Sequence, residues 1–205
     1  RREGSGYSVY EGFAVKMNKE GNQLLYATYL GNVGYTNYPS IAVDRFGCAY
    51  IACETGFTDV PLTPGSYQHF QEIGWNIYVL KLNEIGTGIL YSTLFGGNNW
   101  DYVTGIDVDS NGNAYICGYT ESYDYPTTPE ALQETFRGIE AEYQVNGFIT
   151  KLNNDGSALV YSTFLSGFKG PFKTGYYERT FIRDILINNR GEAFVTGNTE
   201  GFAFP

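Results

Sequence analysis

The chain has 205 residues, 17% of them aromatic and 17% charged, with 22 acidic against 13 basic residues and a net charge of -9. That length suffices for a sizeable core, and the aromatic content is far from a disordered composition. The acidic balance, with no basic patch, excludes nucleic acid as a partner, and no apolar run approaches the roughly 20 residues of a membrane-spanning helix.

The N-terminal stretch RREGSGYSVYEGFAV has no apolar core of a signal peptide. The next words are AVKMN and LLYATYLG, two short β-type runs joined by NKEGNQ. They recur as VLKLN and ILYSTLFG, then as ITKLN and LVYSTFLS. Lys16, Lys81 and Lys151 mark the first run, and Tyr26, Tyr91 and Tyr161 mark the second at the same spacings. A second pair of runs also appears three times. Residues 41–55 read IAVDRFGCAYIACET, residues 105–120 read GIDVDSNGNAYICGYT, and residues 185–199 read ILINNRGEAFVTGNT. Apolar runs on each side of a short Gly-bearing turn predict tight β-hairpins.

Each period therefore holds four β-runs in a fixed order, a hairpin pair followed by the KLN and YST strands. Four-stranded antiparallel units at this period predict blades of a β-propeller; a β-solenoid is the rival reading. Runs such as Ile185-Leu186-Ile187 are apolar at consecutive positions. That suits a sheet covered on both faces. The expected fold is all-β, with about three blades' worth of chain. Residues 1–37 hold the last two strands of a first blade, 38–102 a second blade, 103–170 a third, and 171–205 the first two strands of a further one. Three blades are too few for an ordinary ring, so the chain is expected to be part of a larger or oligomer-closed ring. It stops at Pro205, whereas Pro61 and Pro126 are each followed by a further x-Thr-Pro. It therefore reads as an excerpt of a longer protein.

The words FITKLN, GSALVYSTFLSG, GIDVDSNGNAYICGYT and YPTTPEALQ resemble the SBBP repeat, the beta-propeller repeat of large secreted or surface proteins of bacteria and archaea. The third copy departs from the pattern, with Asn188 for Asp and Glu192 for Asn. The resemblance implies a propeller fold and an extracellular or cell-surface setting. It implies little about activity.

In a meandering blade the hairpin turns lie on one side, and the longer links between and within blades lie on the other. All length variation falls on that link side, as it does on tolerant, function-bearing faces. The links are rich in rings: Tyr35, Tyr38, Trp75, Trp100, Tyr102, Tyr123, Tyr125, Phe172, Tyr176 and Tyr177. Exposed rings can stack on sugars or anchor a protein partner; they can equally plug gaps between blades. Thr128-Pro129-Glu130 reads as the start of a short helix, with Thr as N-cap and Pro in the first turn.

Candidate chemistry is sparse. Asp107, Asp109 and Asn111 stand at alternate positions before Gly112, as oxygen ligands do at the start of a calcium loop, though no bidentate acid follows. Asp109 also has a sufficient role as a turn residue accepting backbone N–H bonds. With one His, His69, and three scattered Cys there is no zinc set and no Ser–His–Asp pattern. Asp101, Asp107, Glu121, Asp124, Glu178 and Asp184 could supply a glycosidase-type carboxylate pair. Cys48, Cys53 and Cys117 are expected to be buried free thiols.

The sequence thus points to a non-catalytic extracellular structural or interaction propeller that presents an aromatic loop face to a protein partner or assembly. Carbohydrate binding or processing through the same face is the alternative. No cofactor is expected beyond possible calcium. The expected partners are further blades of the parent chain or other copies, or a surface protein or polysaccharide.

Overall fold

The computed structural model describes residues 12–30, 39–70, 73–138, 144–167, 179–200 and 204–205. These residues are all-β, without a helix. A two-stranded sheet pairs β1 (Phe13–Met17) with β2 (Leu24–Tyr29). The second sheet holds β3 (Ser40–Val43), β4 (Ala49–Thr55), β5 (Gln68–His69), β6 (Asn76–Leu82) and β7 (Ile89–Phe95), in the order β3-β4-β6-β7-β5. The third runs β8-β9-β10-β11, from β8 (Asp101–Val108), β9 (Ala114–Thr120), β10 (Asn146–Leu152) and β11 (Leu159–Leu165). A last pair joins β12 (Thr180–Ile187) to β13 (Ala193–Thr199). Apart from the short parallel β5–β7 pairing, every named strand pair is antiparallel.

The sheets stack face to face, and the core lies in the seams. Tyr50, Ala52 and Val79 of the second sheet meet Val103, Ile106 and Ile116 of the third. Ile51, Cys53 and Leu80 on the other face of the second sheet meet Ala14 of the first. Tyr115 and Cys117 meet Ile182 and Ile185 of the last. Burial on both faces explains why β4, Ala-Tyr-Ile-Ala-Cys-Glu-Thr, is buried along its whole length.

The hairpin turns repeat one device. In the third sheet the Gly112 N–H returns to the Asp109 carbonyl at 3.0 Å, and Gly112 has φ 83°. The Asp109 carboxylate caps the turn by accepting from the backbone N–H groups of Asn111 and Asn113, at 2.9 and 3.0 Å. Asp44 does the same for Phe46 and Cys48. Each carboxylate also faces the lysine two strands along. Lys81 Nζ is 3.4 Å from Asp44 and Lys151 Nζ is 3.3 Å from Asp109. The same ammonium groups lie 4.6 and 4.5 Å above the Tyr50 and Tyr115 rings.

Three expectations are corrected. Thr128-Pro129-Glu130 begins no helix. It is a tight turn in which the Ala131 N–H reaches the Thr128 carbonyl, with Glu130 at φ 63°. The Thr128 hydroxyl prefers β11, accepting from the Ser162 N–H at 3.0 Å, as Thr63 does for Ser92 at 2.9 Å. Between β4 and β6 lies a strand that the sequence did not announce, β5, running parallel to β7. Finally, the three cysteines are free, but only Cys53 and Cys117 are buried; Cys48 is half-buried beside its turn.

Candidate functional site

Strand direction decides which side chains share a face. The hairpin turns lie at one end of every sheet, so the starts of β6, β8 and β12 and the end of β9 meet at the other. There Trp75, which precedes β6, forms a parallel bridge with Trp100, which precedes β8. Their rings are 6.3 Å apart. Trp75 continues to Tyr102 at 6.0 Å. Tyr102 stacks on Tyr119, its cross-strand partner in β9, at 4.6 Å and 22°. Tyr119 meets the edge of Phe181 in β12 at 4.9 Å and 76°. Arg183 closes the run, its guanidinium 4.9 Å from the Phe181 centroid. Offset and edge-on contacts of this kind hold rings in place at modest cost in side-chain freedom.

Trp100 is presented by a braced loop. The Asp101 carboxylate is fully buried and accepts from the Thr120 hydroxyl and from the Gly97 N–H at 2.8 Å. Asp124 accepts from the Asn98 N–H at 2.7 Å, and the Ser122 hydroxyl from the Asn99 N–H at 2.9 Å. A Cβ on Gly96 would strike the Asp101 carboxylate, and one on Gly97 would strike Ser122, so both glycines are required by close approach. Burial pushes the Asp101 carboxyl up to about 7, although three hydrogen-bond donors oppose the shift. The ring run is flanked by two further carboxylates. Glu54 is buried and accepts from the Val103 N–H at 3.0 Å. Burial also pushes the half-buried Glu121 carboxyl upward.

Of the rings expected on this face, Trp75, Trp100 and Tyr102 converge. Tyr123 instead packs on Phe136 at 4.4 Å. Tyr125 is corrected outright: it is a core residue, buried against Phe148, with its hydroxyl 2.8 Å from that of Thr150. Tyr35, Tyr38, Phe172, Tyr176 and Tyr177 lie outside the described residues. Tyr119, Phe181 and Arg183 were not singled out from the sequence. The available signal was the alignment of Phe181 with Tyr102 and the cross-strand position of Tyr119.

The calcium reading does not survive the geometry. Asp109 Oδ2 already meets the Asn113 amide, the Tyr115 hydroxyl and the Lys151 ammonium. Asp107 accepts from the N–H groups of Val108 and Ile187, at 2.8 and 2.7 Å. Asn111 contributes its backbone N–H to Asp109. A site filled by protein donors, one of them cationic, does not attract a second cation. Among the described residues no group of three or more His, Cys, Asp or Glu is placed to hold a metal ion. The candidate glycosidase acids are mostly structural too. Asp101 and Asp124 brace the Trp100 loop, Asp107 joins β12, and Asp184 accepts from the Ile185 N–H. Glu178 lies outside the described residues.

The segment from Leu90 to Pro126 spans β7, the Trp100 loop and the β8–β9 hairpin. Residues 90–126 match the family model of the SBBP beta-propeller repeat. Over that stretch the chain is similar to the SBBP repeat. The match contains Trp100, Tyr102 and Tyr119, together with the Asp101, Ser122 and Asp124 side chains that fix the loop. No curated protein matches the chain. The β3–β4 and β12–β13 hairpins, outside the SBBP match, repeat its turn geometry at Gly47 and Gly191, with φ 81° and 77°.

Proposed function

We propose that this chain is a segment of a non-catalytic propeller, working outside the cell or at its surface, that presents the link-side aromatic run to a protein partner or an assembly. Its sheets are blades of a larger or oligomer-closed ring. The observation that carries the reading is the continuous run Trp100–Trp75–Tyr102–Tyr119–Phe181, which crosses three sheets on the side where the links vary in length. Trp100 at its end is 48% exposed although its loop is braced. A rigid, solvent-facing Trp on an aromatic base resembles the anchor of an interaction hot spot.

Carbohydrate recognition is the second reading. An exposed indole beside the half-buried Glu121 carboxylate offers a stacking plane and a hydrogen-bond acceptor for sugar hydroxyls. The separating experiment probes a glycan array and a surface-protein extract with the chain and with Trp100→Ala. Protein capture lost in the variant, with a blank array, supports the partner reading. Array binding lost in the variant favours the sugar. Capture and array binding both unchanged in Trp100→Ala would remove the aromatic run from either role. Hydrolysis of a polysaccharide panel by the purified chain would overturn the non-catalytic assignment.

A further inference from the structure

We infer that the Trp100 end of the aromatic run takes a basic side chain, lysine or arginine, of a protein partner, held over the rings and paired with Glu121. That assignment rests on the run being an interaction face, as proposed above, and gives the partner's chemistry. Residues two apart on a strand share a face, and so do cross-strand partners. Tyr102 pairs with Tyr119. Two residues further along each strand, the Glu121 N–H donates to the Trp100 carbonyl at 2.9 Å. Trp100, Tyr102, Tyr119 and Glu121 therefore stand on one face of the β8–β9 pair. Asp101 and Thr120 stand on the other, where both are buried.

Glu121 differs from the other carboxylates placed among the sheets. Asp44 and Asp109 each accept from turn N–H groups and face a lysine. Asp101 and Glu54 accept from the N–H groups of Gly97 and Val103. Glu121 is half-buried, and among the described residues its carboxylate receives no hydrogen bond and no ion pair. Burial pushes its carboxyl upward with no donor or cation opposing the shift. Burial also pushes up the Tyr102 hydroxyl, and the Glu121 charge adds to that shift, so carboxylate and phenol lie within electrostatic reach. An anion that has lost part of its water and gained no donor is stabilised strongly by an incoming cation.

The chain already uses this chemistry. Lys81 and Lys151 lie over the Tyr50 and Tyr115 rings with Asp44 and Asp109 beside them. At the far end of the run Arg183 lies 4.9 Å from the Phe181 centroid and 6.0 Å from that of Tyr119. At the Trp100 end the rings and the carboxylate are in place. Among the described residues no cation lies over Trp75, Trp100 or Tyr102. Trp100 is 48% exposed, so an outside cation can reach its ring. The net charge of -9 draws a basic partner toward the chain and disfavours an acidic one.

The chain has two tryptophans, Trp75 and Trp100, and both belong to this run, so indole emission reports on it. The 205-residue chain is titrated with Gly-Ser peptides that carry one central lysine, arginine or norleucine. The lysine and arginine peptides should shift the emission saturably, at least about tenfold more tightly than the norleucine peptide, and added salt should weaken them. Glu121→Gln should cost about tenfold for the basic peptides and leave the norleucine peptide unchanged, with unchanged circular dichroism showing that the variant folds. Arg183→Gln, at the far end, should not weaken them. Equal affinity for lysine and norleucine, no binding of either, or unchanged lysine affinity in Glu121→Gln overturns the inference. A neutral oligosaccharide that shifts the emission while the lysine peptide does not gives the face to sugar and overturns it too. Capture from the surface-protein extract separates this inference from the reading beneath it. Capture lost in Trp100→Ala but kept in Glu121→Gln overturns the basic side chain and leaves the interaction face standing. Capture kept in Trp100→Ala overturns the face itself and the basic side chain with it.

Discussion

The Tyr115 hydroxyl lies 3.2 Å from the Gly191 carbonyl, which belongs to the turn of the neighbouring sheet. The same oxygen is 3.2 Å from Asp109 Oδ2 in its own turn. Tyr50 repeats both contacts, with Gly112 and Asp44. One phenol therefore ties the turn that caps its own hairpin to the turn of the next sheet.

Tyr115→Phe removes that tie and leaves Asp109 with Lys151 and Asn113. The net worth of one such hydrogen bond is about 1 kcal/mol, so the unfolding free energy should fall by about that amount, seen as a lower urea midpoint with an unchanged slope. Restoring a hydroxyl by Phe194→Tyr should have no comparable effect in an isolated chain, because the ring there is exposed.

Asp101 should give the chain an unusual pH dependence. Its folded carboxyl is raised to about 7, above the ordinary carboxylate value of 3.8, so the folded state binds the proton more tightly than the unfolded one. Its contribution is most favourable below about pH 4 and is lost as the pH rises through about 7, a change on the order of 2–4 kcal/mol. Asp44 and Asp109 act in the opposite sense below the usual carboxylate range, because turn N–H groups and lysines lower their carboxyls against the opposing effect of burial. Thermal melts at pH 5 and pH 8 should therefore favour pH 5, and Asp101→Asn should flatten the difference. An unaltered difference in the variant would assign the slope to other groups.

Glu130 holds a left-handed conformation, φ 63°, that Gly65 holds at φ 81° in the preceding copy of the turn. A residue with a Cβ pays roughly 1 kcal/mol there. Glu130→Gly should raise stability by about that much in chemical denaturation. A loss of stability would mean that the side chain of Glu130 contributes contacts worth more than the strain.

Thiol reactivity should follow the burial of the three cysteines. In the native protein Cys48 should react first with an aromatic disulfide reagent, and Cys53 and Cys117 only on unfolding. Burial pushes all three thiols upward, Cys117 to about 12, so even Cys48 should react more slowly than a free thiol. Rapid titration of all three in native buffer would contradict the buried seams.

Most of the fold was legible because it is written three times. The Gly-bearing turns at Gly47, Gly112 and Gly191 and the doubly apolar strands are local features. Positive φ and burial on both faces leave marks on residue type wherever they occur. Twelve of the thirteen strands follow from those marks. β5 did not, because its pairing with β7 is held by backbone groups and carries no side-chain period.

The site was legible only in part. Composition showed that the links are rich in rings, but it could not separate Trp100, held out by Asp101 and Asp124, from Tyr125, which fills the core against Phe148. Nor could it show that Asp107 and Asp109 spend their carboxylates on backbone and lysine donors and not on calcium. The sequence by itself determined the repeating unit, because turn sterics and strand burial act between neighbours along the chain. Only the tertiary structure decided which rings meet and which carboxylates are already occupied. Those outcomes depend on the stacking of sheets, which joins Trp75 to Tyr102 and Tyr119 to Phe181 across long separations in sequence.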